Sequence, residues 1–173
     1  MKLQEQLAEA LRGTVVVMGI GNPCRGDDGA GSIVAGKTNG APGVRVIDAQ
    51  EVPENYLRQV VDWHPDNVVL IDSVNLKSTP GSVAFLERDQ TASYWPSTHR
   101  LPINLLMNYL ERETRARTLL VAIQPDQTAF SQSMSEAVSS SVDAIARILN
   151  EIIAARPQPG QPRFTGQSRE APT

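Results

Sequence analysis

Gly19-Ile20-Gly21-Asn22-Pro23-Cys24-Arg25-Gly26-Asp27-Asp28-Gly29-Ala30-Gly31 is the stretch that decides the reading of this chain. It follows a run of β-formers, Thr14 to Met18, and leads into a segment of helical character. Glycines permit positive φ and close approach of other groups. A strand that stops in a glycine-rich turn carrying two carboxylates marks a binding site, because α/β folds concentrate function at strand ends. Three chemistries compete for the turn: a phosphate cradle, a metal site, or plain turn geometry.

Outward from the turn, Leu3, Leu7 and Leu11 recur at helical spacing and predict a short amphipathic helix before the first strand. Strands are expected over 14–20, 44–49, 67–74, 81–87 and 117–124, and helices over 28–37, 54–63, 103–114 and 134–155. Val68 to Ile71 and Leu119 to Ile123 are unbroken apolar runs, which suit central strands covered on both faces. In the last helix Val138, Val142, Ile145, Ile148, Leu149 and Ile152 form a 3.6-residue stripe.

Strands alternating with helices predict an α/β three-layer sandwich, a doubly wound and mostly parallel sheet with helices on both faces. The stretch 81–87 is the exception. Only Val74 to Pro80 precedes it, too short for a crossover helix, so it is expected to run antiparallel. One domain over 1–155 is expected, with 1–12 as an added helix. The segment 156–173 holds four prolines and few apolar residues, and reads as a disordered tail.

Composition excludes several classes. The chain has 173 residues and a net charge of −3, with pI near 5.4, which gives no reason to expect nucleic acid or an anionic membrane. Arg112, Arg115 and Arg117, the densest basic group, are expected to close a helix at its negative dipole end. A single cysteine leaves no disulfide framework or CxxC motif. Met1 to Arg12 has no apolar signal-like core, and no apolar run approaches the ~20 residues of a membrane span. A cytoplasmic protein is the expectation.

Among the candidate chemistries, the dinucleotide fingerprint fails at Cys24, which stands where a third glycine belongs. Asp48 occupies the place of a ribose-binding acid, but two carboxylates at the helix start would repel a pyrophosphate. Cys24 precedes a helix and pairs with neither His64 nor His99 by any motif, so it reads as a small, partly buried filler. The metal reading draws on Asp28, Asp72 and His99. Parallel strands share a carboxyl edge, which Asp28 after strand one and Asp72 at the end of strand three both reach, and the loop before the helix at Ile103 can bring His99 there. Two carboxylates and an imidazole suit a divalent transition metal. Against this, Asp72 could simply accept backbone hydrogen bonds and His99 could be a solvated loop residue. Asp27, directly before the helix, reads as its N-cap.

Gly19-Ile20-Gly21-Asn22, Gly26-Asp27-Asp28-Gly29-Ala30-Gly31, Leu70-Ile71-Asp72, Thr98-His99-Arg100-Leu101-Pro102-Ile103-Asn104 and Ile123-Gln124-Pro125, in that order, resemble the hydrogenase maturation endopeptidases. The resemblance runs from about Val15 to Ile152. It implies a twisted five-stranded sheet flanked by helices, and removal of a short C-terminal peptide from the nickel-loaded precursor of a nickel–iron hydrogenase large subunit. The family's metal-contacting positions fall on Asp28, Asp72 and His99, with nickel carried in by the precursor and other divalent metals able to substitute.

Gly21, Asn22, Gly26, Asp27 and Gly29 are expected to shape the turn and to admit the extended substrate. The resemblance also implies a monomer. It leaves His64 as a helix-end residue near solvent and Cys24 at a variable position. A nickel-sensing chaperone that grips the precursor without cutting it is the alternative from another class.

Overall fold

The structure, a computed structural model, describes residues 3–91, 102–130 and 132–157. In chain order the elements are α1 (Leu3–Ala10), β1 (Val15–Ile20), α2 (Ala30–Lys37), β2 (Val44–Gln50), α3 (Leu57–Asp62), β3 (Asn67–Ser73), β4 (Val83–Leu86), α4 (Arg88–Thr91), α5 (Ile103–Thr114), β5 (Arg117–Ile123) and α6 (Glu136–Ala154). The helices expected over 28–37 and 54–63 each open with a 3-10 turn, Gly26–Gly29 and Pro53–Tyr56. The single turn of α4 carried no signal in the sequence.

Alternation along the strands builds the layers. Val15 and Val17 of β1 face one core with Val69 and Ile71 of β3, while Val16 and Met18 face the other with Val68 and Leu70. Such strands need cover on both sides. α1, α2 and α6 cover the first face, and α3 and α5 cover the second. In α5, Ile103, Leu106, Met107 and Leu110 are the buried stripe. In α6 the buried positions are Val138, Val142, Ile145, Ala146, Leu149 and Ile153, with Ile148 and Ile152 only partly covered.

The five strands lie in the order β2-β1-β3-β5-β4. The first four are parallel to their neighbours and β4 is antiparallel to β5, as the short connection before it predicts. That connection carries the chain past the place β5 later takes. Gln124 holds it there: Oε1 accepts from the N–H of Leu76 at 2.7 Å and of Ser78 at 3.3 Å, and Nε2 donates to the Pro125 carbonyl at 2.8 Å.

α2 rests directly on the sheet. A Cβ at Gly31 would lie 2.0 Å from the Ile71 carbonyl oxygen and 2.4 Å from that of Ile20, while one at Gly19 would lie 2.1 Å from the Gly31 carbonyl oxygen. Backbone meets backbone there, and any side chain would lift the helix off β1 and β3.

At the opposite, amino edge, Asp66 Oδ2 accepts from the Thr14 N–H at 2.7 Å and from its hydroxyl at 2.9 Å. Arg117 begins β5 rather than closing a helix, and pairs with Glu9 at 3.1 Å and Glu87 at 2.7 Å. Arg115 caps α5 in the left-handed region at φ 62°. Arg156, expected in the tail, instead donates to the carbonyls of Leu11 and Gly13, so the folded part reaches at least that residue. The rest of the expected tail, from residue 158, lies outside the described residues.

Two outcomes are expected. Gly31→Ala should destabilise the fold by about 3 kcal/mol in urea unfolding, the upper part of the usual cost of overpacking. The Thr14 N–H and hydroxyl hold Asp66 below the usual carboxylate range against a small opposing effect of burial. Its contribution is therefore present above an unfolded-state pKa of about 4 and lost as pH falls through the lower folded-state value. Thermal melts at neutral pH and near pH 3 should show Asp66→Asn losing less stability on acidification than the native chain.

Candidate active site at the carboxyl edge

β1 and β3 are neighbours whose chains leave in opposite directions, β1 toward β2 and β3 toward β4. In an open α/β sheet the crevice outside the carboxyl ends at such a reversal is the ligand site. Asp28 lies on the turn that follows β1, and Asp72 near the end of β3.

The turn after β1 is built to a tight pattern. Gly21 has φ 133° and gives its N–H to the Gln50 carbonyl at 2.8 Å, and a Cβ on it would lie 1.9 Å from the Asp28 carbonyl oxygen. Asn22 Oδ1 accepts from the Cys24 N–H at 2.8 Å. Gly26 and Gly29 are buried, and at Gly29 the space a side chain would need is held by Pro23, 2.5 Å away. These contacts account for the turn role of Gly21, Asn22, Gly26 and Gly29.

Asp28 is half-buried, and its Oδ2 accepts from the Asn22 N–H at 3.0 Å. The 3-10 turn carrying it packs against β3. Asp72, near the end of that strand, is only 1 % exposed, and its Oδ1 accepts from the Ser73 N–H at 2.8 Å. A carboxylate so deeply buried at a strand end is a functional candidate. His99 lies outside the described residues, and among those described no three of His, Cys, Asp and Glu gather in a metal-binding group.

Asp27 departs from its expected role. The residue before α2 is Gly29, with no side-chain cap, and Asp27 sits inside the 3-10 turn, fully buried and directed across the molecule. Its Oδ2 accepts from the N–H of Asp126 at 2.8 Å and of Gln127 at 3.1 Å, and from the Ser135 hydroxyl at 2.9 Å. Its Oδ1 accepts from the Ser135 N–H at 2.7 Å. Burial pushes this carboxyl up, but the three backbone N–H groups and the hydroxyl outweigh it and leave Asp27 below the usual carboxylate range. Ser135 is itself the N-cap of α6, accepting from the Val138 N–H at 3.4 Å.

Ser135 is a structural partner of the turn that the sequence reading missed, and Gln124, quoted there within Ile123-Gln124-Pro125, was given no role. A serine three residues before Val138, the first residue of the apolar stripe of α6, was the available signal for Ser135. Cys24 is exposed rather than a partly buried filler. His64 is exposed just past α3 at φ 49°, as expected of a helix-end residue. Asp48 is exposed and accepts from the Gln50 N–H at 3.2 Å.

Comparison with known proteins gives one consistent answer. The family model described as "Hydrogenase maturation protease" matches residues 35–153. The hydrogenase 3 maturation protease of Escherichia coli K12 is 30% identical over 135 residues, covering 76% of this chain and 86% of its own. A putative hydrogenase maturation protease of Methanocaldococcus jannaschii is 29% identical over 163 residues, 87% of this chain and 96% of its own. Among solved structures, the maturation protease HycI of Thermococcus kodakarensis superposes with TM-score 0.79 at 28% identity, covering 86% of this chain and 99% of that one.

The buried Asp27 gives a direct test. Asn in its place sets an NH₂ group against backbone donors and removes the charge that strengthens the surviving bonds. Asp27→Asn should therefore lose roughly 3 kcal/mol in urea unfolding, the worth of one or two hydrogen bonds to a charged group.

Proposed function

The chain belongs to the hydrogenase maturation protease family, and on that footing we propose that it removes a short C-terminal peptide from the nickel-loaded precursor of a nickel–iron hydrogenase large subunit. The observation that carries the reading is the turn bearing Asp28 packed against the strand bearing the buried Asp72, at the sheet's topological switch point. The matched family region includes Asp72 and His99 but begins after the turn, so the support for Asp28 is its geometry and its motif.

In this reading Asp28, Asp72 and His99 together engage nickel brought by the precursor. A carboxylate pair and an imidazole form a mixed oxygen and nitrogen donor set of the kind divalent transition metals accept. The ion is part of the substrate: it reports that the precursor is ready, and it supplies Lewis acidity near the scissile carbonyl. The chain's own residues do the rest. Asn22 orients Asp28 through its N–H, leaving a half-buried carboxylate suited to take a proton from the attacking water. Asp72, almost wholly enclosed, serves as a fixed ligand. The exposed Cys24 takes no part. The protein acts as a monomer in the cytoplasm, and no helix among the described residues is long and apolar enough to cross a membrane.

The decisive measurement is the precursor's mass before and after incubation. Loss of a C-terminal peptide is expected only with nickel installed. Asp28→Ala, Asp72→Ala and His99→Ala should each lower the rate about a thousandfold or more, as loss of a member of a concerted site does. Cys24→Ala should stay within about twofold of the native rate, the range of an exposed side chain outside the site. Full processing by His99→Ala would discard the three-residue site. A stable complex with no change in mass would make the protein a nickel-sensing chaperone instead.

A further inference from the structure

The segment between β5 and α6 is fixed to the active-site turn in an unusual way. One buried carboxylate, Asp27, binds both ends of it, taking the N–H groups of Asp126 and Gln127 at the start and the N–H and hydroxyl of Ser135 at the finish. The Asp27 N–H returns a bond to the Gln127 carbonyl at 3.0 Å, and Gln127 Nε2 reaches the Ser133 carbonyl at 3.1 Å across the loop. Near the middle stands Phe130, 68 % exposed and the most exposed large apolar side chain among the described residues.

Loops that hang free are the usual place for an exposed aromatic. This one is anchored at both feet, and its anchor is the residue next to Asp28. The anchored ends put the stretch carrying Phe130 at the carboxyl edge of the sheet, the edge that bears the candidate ligands. Aromatic side chains held in this way anchor protein partners, since a rigid ring buries a large area with little loss of rotamer freedom.

We propose that Phe130 is a specificity-determining residue that docks against an apolar side chain of the precursor beside its scissile peptide. The inference rests on the proteolytic reading above and goes beyond it by naming the surface that selects the substrate. The occupant is the precursor polypeptide, because the loop is continuous, through Asp27, with the turn that would contact it.

The test is steady-state processing of the nickel-loaded precursor by the full chain with Phe130→Ser and Phe130→Leu. Phe130→Ser should raise KM about tenfold, equivalent to about 1.4 kcal/mol of docking, with a much smaller change in kcat. Phe130→Leu should restore most of the loss. Phe130 is solvent-exposed, so both variants should melt with the native chain, and a shared melting curve ties the KM change to docking. Failure of the native chain to shorten the precursor would remove the proteolytic reading. Native processing with an unchanged KM for Phe130→Ser would overturn the docking role alone. A change of oligomeric state in Phe130→Ser by size-exclusion chromatography, with KM unchanged, would assign the ring to self-association and equally overturn it.

Discussion

A single carboxylate organises the functional edge of this molecule. Asp27 gives up water entirely and receives three backbone N–H groups and a hydroxyl in return. An ionised group is tolerated in such a place only when its hydrogen-bonding capacity is filled, and here the donors come from the loop after β5 and the N-cap of α6. The turn that presents Asp28, the loop that presents Phe130 and the start of the longest helix are thereby fixed to one point. The α6 dipole, positive at that end, favours the same charge.

The neighbouring acids illustrate how adjacent residues divide labour. Asp27 turns inward and is consumed by structure, while Asp28 stays half-buried on the crevice with one oxygen set by the Asn22 N–H. The 3-10 turn makes this possible, because successive side chains leave it in different directions. α2 then seats its Gly31 backbone on the carbonyls of Ile20 and Ile71, which brings the whole turn against β3 and Asp72.

Much of this was legible from the residues alone. The α5 helix follows from apolar residues at 103, 106, 107 and 110, and the central strands from unbroken runs such as Val68 to Ile71, since both signals are local. The antiparallel sense of β4 followed from the length of its connection. Its pairing with β5 did not, because strand pairing is decided by contacts far apart in sequence. Asp27 shows the same limit more sharply: its partners lie 99 to 108 positions away, so a local reading assigned it to the helix it precedes. The placement of Asp28 and Asp72 at one edge was legible because parallel strands share that edge, a rule of topology rather than of neighbours. His99 was singled out by the loop leading into the helix at Ile103, and lies outside the described residues.

The amino edge has a consequence of its own. Arg156 clasps the carbonyls of Leu11 and Gly13, just ahead of β1, so the described chain finishes on the side of the sheet away from the crevice. The α6 helix thus clamps the sheet from pole to pole, its start held by Asp27 and its end by the backbone just ahead of β1.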